Sequence, residues 1–355
     1  MADKPRFEGV ARRIKLSDIC SKGRSSLRQK DILNDGPYAV YGASGIIGSM
    51  ASCQNSSPYI AVIKDGAGVG RVSACDANTS VLGTMQALIP RKGIERDYLF
   101  HLVRSLRLGE GFTGSTIPHI YFKDYGQIIV PLPDLAGQKR IVRRLNSIEE
   151  AAESARAQIV RLDSLVKSRF VEMFLNSSWP IATIGECSTD IRYGTSEKAS
   201  TEGEYVYLRM NNMGDDGSLD LSDTKRITLE GKALSNCLVR KGDLLFNRTN
   251  SREKVGKTCV FCFDEAMVIA GYIIRVRLDD RVDSTYLAAY MNLSSTKALL
   301  RSIAKGAVHQ ANINAKQLAS VEFPLPDIET QKEFVSFVAQ VDKSRFVACF
   351  GRGVG

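Results

Sequence analysis

Several short motifs in the sequence carry residue types that can bind nucleotides. Val255-Gly256-Lys257-Thr258 resembles the end of a phosphate-binding P-loop. A P-loop needs another glycine five residues before Gly256, so that its amides can wrap the phosphates, and that position is Ser251. The glycine-rich run 66–70 follows an apolar run, but no helix pattern follows it to direct an N-terminus at a pyrophosphate. We therefore expect tight turns at both places.

The sequence also offers little for metal binding or nucleophilic catalysis. Cys259 and Cys262 form a lone Cys-x-x-Cys pair, and neither a second pair nor a neighbouring histidine supplies the two further ligands of a closed zinc site. The three histidines, His101, His119 and His309, are not spaced for metal ligation. No Ser/His/Asp or Cys/His set can be assembled. We expect a chain that has no active site, metal or cofactor of its own.

Polar side chains suited to reading DNA bases are concentrated in turns of both halves of the chain. Arginine, asparagine and glutamine can pair bidentately with guanine or adenine edges. The candidates in the second half are Arg209, Asn211, Asn212, Arg248, Asn250, Arg252, Lys254, Lys257, His309, Gln310, Asn312 and Asn314. Those in the first half are Ser115, His119, Tyr121 and Lys123, with Lys22, Arg24, Lys64 and Arg71 as charges that attract phosphate. Each residue alone also fits an ordinary solvated turn, so the prediction depends on the recurrence of the loops.

The two halves are copies of one unit. Segment 120–134 aligns without gaps on segment 313–327, an offset of 193 residues from Asp134 to Asp327. Both segments end in Pro-Leu-Pro-Asp, and both are followed by Gln-Lys. Weaker matches pair 69–71 with 255–257, 98–99 with 286–287, and 16–18 with 184–186. A period of this length indicates a duplicated domain, because the units of a solenoid are much shorter.

Each copy has the same predicted order of elements. Short β-like runs, including 59–63 and 85–89 in the first copy and 243–246 and 272–278 in the second, are separated by Gly, Asn and Asp turns. A short helix then begins near Tyr98 or Tyr286. The mixture predicts an α+β fold. The prolines of Pro-Leu-Pro-Asp end a strand, and Asp134 or Asp327 can cap the following helix.

The segment after Asp134 predicts a long helix of about 55 Å, with neither Gly nor Pro between Gln138 and Leu175. Its apolar residues recur at a period of 3.5, which favours an antiparallel coiled coil with the matching helix of the second copy. An amphipathic helix lying on a globular core is the alternative. The second helix is shorter, so pairing would cover only part of the first. The predicted seam consists of Ile141, Leu145, Ile148, Ile159, Leu162 and Val166, with Phe334, Val338 and Val341.

Composition is that of a folded protein that prefers an anionic partner. The 355 residues include 48 basic and 39 acidic side chains, a net charge of +9, and 44% hydrophobic residues. This length predicts about two domains. No apolar stretch approaches the roughly 18–20 residues of a membrane span, and the charged N-terminus lacks a signal-peptide core. We expect a cytoplasmic chain whose eight cysteines are reduced.

The junctions of the repeat, each an I…K…Pro-Leu-Pro-Asp…Gln-Lys pattern leading into a helix, occur together with the related segments 165–174 and 340–346. In this order they resemble the specificity subunits of type I restriction–modification systems. The resemblance implies two target-recognition domains, 1–134 and 176–325, that each read one half of a split, asymmetric site in double-stranded DNA. It implies conserved helices at 135–175 and 326–355 that pack antiparallel, set the half-site spacing and dock methyltransferase and restriction subunits. S-adenosylmethionine, ATP and Mg would then belong to those partner subunits.

Two other interpretations make different predictions. A coiled-coil scaffold that binds only protein would show no steep loss of DNA affinity with rising salt. An enzyme with a nucleotide site near residues 255–258 would bind ATP saturably.

Overall fold

A computed structural model describes residues 12–114, 117–307 and 310–350, without the side chains of 307 and 346–350. The chain divides between Ala152 and Glu153 into two compact units, called unit 1 and unit 2. One long helix begins in unit 1 and ends in unit 2. Among the described residues, no helix combines the length and the apolar character that crossing a bilayer requires.

Unit 1 is built from short strands and helices around two small sheets. Its strands are β1 (Arg12–Lys15), β2 (Cys20–Lys22), β3 (Tyr38–Gly42), β4 (Gly45–Met50), β5 (Tyr59–Ile63), β6 (Val72–Cys75), β7 (Ser80–Val81), β8 (Met85–Pro90) and β9 (Ile129–Leu132). Its helices are α1 (Leu16–Ile19), α2 (Arg96–Ser105), α3 (Phe122–Tyr125) and the start of α4 (Leu135–Phe170). The sheets have the strand orders β2-β8-β5-β6 and β4-β3-β7, and β1 pairs separately with β9.

Unit 2 contains the end of α4 and a larger set of strands. These are β10 (Ile181–Thr183), β11 (Ser188–Tyr193), β12 (Tyr205–Leu208), β13 (Lys225–Ile227), β14 (Leu238–Val239), β15 (Leu244–Asn247), β16 (Thr249–Asn250), β17 (Thr258–Val260), β18 (Met267–Ile269), β19 (Ile273–Leu278), β20 (Lys305–Ala307), β21 (Gln310–Asn312) and β22 (Glu322–Pro324). The helices are α5 (Gly231–Cys237), α6 (Ser284–Met291), α7 (Ser294–Ile303), α8 (Ala315–Ala319) and α9 (Ile328–Phe350). The sheets are β11-β19-β15-β17, β13-β12-β18-β14 and β16-β21-β20, and β10 pairs with β22.

The two units repeat the same topology. The sheet β2-β8-β5-β6 corresponds to β11-β19-β15-β17, and the pair β1–β9 corresponds to β10–β22. The parallel pairing of β3 with β7 recurs between β12 and β18. A turn after β5 and a turn after β15 each place a glycine at positive φ, Gly70 at 83° and Gly256 at 86°. The predicted duplication and the predicted α+β class are therefore confirmed.

The predicted core strand 59–63 is β5, and all five of its residues are buried. Its alternate side chains enter two clusters, because Ile60 and Val62 pack with α2 residues such as Leu99, while the intervening residues face a smaller cluster. A strand covered on both faces has an uninterrupted apolar sequence, and this apolar run is what identified the strand.

A buried glutamine connects each long helix to the body of its unit. Gln138 Oε1 accepts a hydrogen bond from Glu95 N at 2.9 Å, and its Nε2 donates to Gly93 O and Pro133 O, both at 3.1 Å. Its side chain is in the first turns of α4 and the residue is 1% exposed. Thus the Gln of the repeated Gln-Lys motif has a structural role, since it ties the helix start to the loop before α2.

The second copy repeats this contact. Gln331 Oε1 accepts from Asp283 N at 2.9 Å, and its Nε2 donates to Arg281 O at 2.8 Å and to Pro326 O at 2.9 Å. We call Gln138 and Gln331 the junction glutamines. The residues before them cap the helices as predicted: Asp134 Oδ1 accepts from Gly137 N at 2.7 Å, and Asp327 Oδ1 accepts from Thr330 N at 2.9 Å.

In unit 2 the end of α4 packs against α9 in antiparallel orientation. Phe170 lies edge-to-face on Phe334 with ring centroids 5.3 Å apart. Arg169 pairs with Glu333 at 3.4 Å, and an ion pair joins Asp163 to Arg345. The contacting residues decrease in number from 170 to 163 along α4 while they increase from 334 to 345 along α9, so the two helices run in opposite directions. The antiparallel coiled coil is therefore present here. Val166 and Val338 are partly buried against the core of unit 2, Phe334 and Val341 are buried, and Leu162 and Ile159 are half-buried.

The start of α4 does not follow the predicted seam. Ile148 is 64% exposed, so its place in a covered seam was predicted wrongly, whereas Val142, outside the predicted seam, is only 8% exposed. The physical reason is that α4 lies along α2 here: Arg104 pairs with Glu149 at 2.6 Å and His101 bonds to Asn146 at 3.1 Å. The face of α4 that contacts α2 therefore does not include Ile148. Ile141 and Leu145 are half-buried beside it.

Replacement of a junction glutamine should destabilise its own unit. Gln331→Met keeps the side-chain volume but leaves one buried amide and two buried carbonyls without partners, at a cost of roughly 2–4 kcal/mol. The single tryptophan, Trp179, packs against the core of unit 2, so its fluorescence reports that unit in urea unfolding. We expect a lower midpoint for Gln331→Met. Gln138→Met is the matched control, which should shift the circular-dichroism transition more than the fluorescence transition. An unchanged midpoint for Gln331→Met would contradict the role of the junction glutamine.

Candidate nucleic-acid interface

In unit 2 the predicted loops meet where β15 ends. The main chain continues through Arg248 into β16, which pairs antiparallel with β21, and Ile313 N donates to Arg248 O at 2.9 Å. Arg248 donates through a terminal guanidinium nitrogen to Asn312 Oδ1 at 3.1 Å, and Asn312 Nδ2 lies 2.9 Å from Thr249 Oγ1. The guanidinium also stacks on Tyr193, 4.7 Å from the ring centroid. A polar cluster thus connects residues from three separate parts of the sequence.

In unit 1 the same place is occupied by different side chains. Ile120 N donates to Lys64 O at 3.0 Å, and β5 ends at the residue before Lys64. His119 Nδ1 lies 2.8 Å from Asp65 Oδ1, and Lys64 forms an ion pair with the same carboxylate. The His119 ring stacks on Tyr121 with an interplanar angle of 17°.

These two sites are equivalent by main-chain hydrogen bonding, and His119 and Asn312 are also related by the 193-residue offset of the repeat. We call Lys64, Asp65 and His119 in unit 1, and Arg248, Thr249 and Asn312 in unit 2, the strand-end trios. In both trios a cationic residue follows a buried strand, and its carbonyl accepts from the amide that follows the third member. In both, the side chain of the second member contacts the side chain of the third. The loops that recur in the sequence thus share a repeated hydrogen-bonding geometry in the structure.

The carboxylate of the unit 1 trio is stabilised in its ionised form by its two neighbours. Burial works to raise the pKa of Asp65, but hydrogen bonds from Lys64 and His119 hold it below its ordinary value. An ionised carboxylate can only accept, so His119 must carry a proton on Nδ1 and direct Nε2 away from Asp65.

Several other candidate residues are exposed. Arg24, Arg71, Asn211, Arg252, Lys254 and Gln310 have exposed side chains. In unit 1, Lys22 Nζ lies 5.7 Å from the Phe122 ring centroid, and Lys123 Nζ lies 5.5 Å from that of Tyr121. Ser115 and His309 lie outside the described residues. The exposed residues are available to a polyanion, and their contact with DNA stays a prediction.

Other candidates serve the fold instead. Asn212 is 2% exposed: its Oδ1 accepts from Arg209 N at 2.9 Å, and its Nδ2 donates to the carbonyls of Asp220 and Asp223. Its predicted role in base reading is wrong in this conformation, because every polar atom of the amide faces the protein. Arg209 itself pairs with Asp223 at 3.0 Å.

Three more candidates are similarly engaged. Lys257 Nζ donates to Met213 O at 3.0 Å, with a side chain only 13% exposed. Asn314 caps α8 by accepting from Gln317 N at 2.9 Å, and Asn250 accepts from Ser251 N while donating to Asn247 Oδ1. Polar residues in turns often satisfy local main-chain groups, and sequence alone does not separate that use from ligand binding.

The motifs that suggested phosphate or metal binding are parts of strands and turns. Lys257 is held inside the fold and Thr258 begins β17, so residues 255–258 form a strand connection. Residues 66–70 form the turn between β5 and β6. Cys259 is buried and Cys262 is exposed. Within the described ranges, no group of three or more His, Cys, Asp or Glu side chains is arranged to hold a metal ion.

The structure also adds residues that sequence reasoning missed. Asp65, Thr249 and Tyr193 were not among the candidates, although each contacts a candidate side chain. Asp65 and Thr249 directly follow Lys64 and Arg248. Alignment of the two copies at these strand ends was the signal that could have identified them.

Comparison with known proteins agrees with the repeat. The profile of the family described as the type I restriction modification DNA specificity domain matches residues 12–162 and again residues 181–346. The chain belongs to this family. The predicted resemblance is therefore confirmed.

Individual members of the family are distant in sequence. The specificity subunits of the type I restriction enzymes StySPI of Salmonella potsdam and EcoKI of Escherichia coli K12 are each 23% identical to it, over 72% of this chain and 60% of theirs. The chain thus spans about 60% of the length of these relatives. The crystal structure of the S subunit of a type I restriction–modification system from M. genitalium has the same fold, with a TM-score of 0.58 and 15% identity over 98% of this chain and 93% of that one.

A matched pair of substitutions separates fold from interface in the 209–212 loop. Asn212→Ala should lower the free energy of unfolding by about 1–3 kcal/mol, because two carbonyls and one amide lose their partner. Asn211→Ala, at an exposed neighbour, should leave stability unchanged. Urea unfolding followed by Trp179 fluorescence measures both. Equal stability of the two variants would contradict the structural role of Asn212.

Proposed function

We propose that this chain is the DNA sequence-recognition subunit of a type I restriction–modification complex. Unit 1 reads one half of a bipartite site and unit 2 reads the other. The observation that carries the proposal is the recurrence of the strand-end trio, at the same place in both units, in a family named for DNA specificity. A protein with two copies of one reading site is suited to a target with two parts.

The chemistry of the trios supports an asymmetric target. Unit 2 offers a guanidinium and an amide, which match guanine and adenine edges in the major groove. Unit 1 offers an ammonium and an imidazole at the equivalent positions. Because the side chains differ while the main-chain geometry is repeated, the two half-sites should differ in sequence.

The other exposed basic candidates would supply affinity without sequence preference. Lys22, Arg24, Arg71 and Lys123 in unit 1, and Arg252 and Lys254 in unit 2, are exposed. Contacts of this kind to phosphate release counterions, so binding should weaken steeply as salt rises. A scaffold that binds only protein would lack this dependence.

Catalysis would belong to other subunits of the complex. We propose that methyltransferase subunits, which bind S-adenosylmethionine, and restriction subunits, which use ATP and Mg, assemble with this chain in the cytoplasm. The support is the family, whose members named above are specificity subunits of restriction enzymes. The chain itself would direct these activities to a sequence and perform neither.

Mapping of methylated bases in cells that carry the complex tests the proposal. The wild-type chain should give a motif of two specific halves with an invariant gap. Arg248→Ala should relax the half read by unit 2 and leave the other half intact, because it removes a base-pairing guanidinium from one unit only. Lys22→Ala should instead weaken binding to all sequences alike and reduce the salt dependence.

Arg301→Ala, at an exposed arginine of α7, is the matched control for loss of one positive charge in unit 2. It should leave the motif unchanged. A continuous motif, or equal loss at both halves with Arg248→Ala, would refute recognition by two separate units.

A further inference from the structure

The third member of each strand-end trio is held in one orientation by its partners in the trio. Asn312 is fixed from two sides, because Arg248 can only donate and therefore faces Oδ1, which leaves Nδ2 facing Thr249 Oγ1. A flip of the amide would place its NH2 group against the guanidinium of Arg248, donor against donor, so Arg248 selects this orientation and Thr249 holds Nδ2 in place. In unit 1 the carboxylate of Asp65 similarly selects the Nδ1-protonated tautomer of His119.

The orientation leaves a defined set of groups unused. A primary amide has two donor hydrogens and two acceptor lone pairs. Asn312 uses one donor and one acceptor for its hydrogen bonds within the trio. One donor and one acceptor remain, which is the combination that pairs bidentately with adenine in the major groove. His119 uses Nδ1 to bond to Asp65 and leaves Nε2 free. It therefore offers one hydrogen-bonding group to a base, whereas Asn312 offers two.

Resting on the function proposed above, we propose that Asp65 and Thr249 are positioning residues, which fix the edge that His119 and Asn312 present to the DNA bases. Neither residue needs to contact DNA. Thr249 is 7% exposed, and the Asp65 side chain is 24% exposed and engaged by two partners. Preorganisation of this kind improves discrimination because the free energy of orienting the side chain is not paid at binding.

The test in unit 2 uses the full chain in complex with its partner subunits and measures competition binding to DNA libraries that vary one position at a time. Thr249→Val keeps the shape but removes the hydroxyl that bonds to Asn312. We expect discrimination at one position of the second half-site to fall roughly three- to tenfold, with the first half-site unchanged. Thr249→Ser, which restores the hydroxyl, should restore discrimination.

Two further variants separate positioning from simple destabilisation. Thr228→Val removes the hydroxyl of another unit 2 threonine, one that accepts from Glu204 N at 3.2 Å, and should leave the motif unchanged. The double variant Thr249→Val/Asn312→Ala should discriminate no worse than Asn312→Ala alone, because both act through the same amide. Additive losses, or a uniform fall in affinity for all sequences, would overturn the inference.

Unit 1 gives a second, independent readout. With only three histidines in the chain, nitrogen NMR of labelled histidine can report the tautomer of His119 directly. We expect the Nδ1-protonated form in the wild type and a shift towards Nε2 protonation in Asp65→Ala. An unchanged tautomer in that variant overturns the role of Asp65. Absence of any bipartite motif in the wild type would refute the proposed function itself, whereas an intact motif with unaffected variants would refute only this inference.

Discussion

The hydrogen bonds of the junction glutamines are the contacts on which the rest of the arrangement depends. The long helix of each unit must begin at a defined place, and each junction glutamine joins the first turns of its helix to the loop before the short helix α2 or α6. The amide is fully buried and all its partners are main-chain groups. Burial without those partners would be costly, so the geometry is specified as well as stabilised.

The same repeat accounts for what could be predicted from the sequence. Alternating and uninterrupted apolar runs identified the core strands, and the Pro-Leu-Pro-Asp segments identified where strands end and helices begin. Asp134 and Asp327 cap the helices as their position after the prolines predicts. These features are local, because strand burial, proline geometry and helix capping are decided within a few residues.

Features that depend on distant partners were predicted less well. Ile148 fits a heptad seam, but α2 contacts a neighbouring face of α4 and leaves Ile148 exposed. Asn212 and Asn312 are the same residue type in similarly polar stretches of sequence, yet Asn212 bonds only to the main chain and Asn312 retains free groups. Asp65 and Thr249 follow equivalent strand ends, but their contacts with His119 and Asn312 join distant parts of the sequence. The sequence alone specifies which residues are present but not which of them meet.

The pairing of the strand ends with the segment before α3 or α8 has an evolutionary consequence. Main-chain hydrogen bonds from residues 120 and 313 hold this alignment, and they are indifferent to the side chains that it carries. A single codon change at position 119 or 312 therefore replaces the side chain at the strand end, while the main-chain hydrogen bonds that position it persist. Under the function proposed above, the target of such a protein would drift in small steps, one half at a time, and its architecture would not need to be rebuilt at any of them.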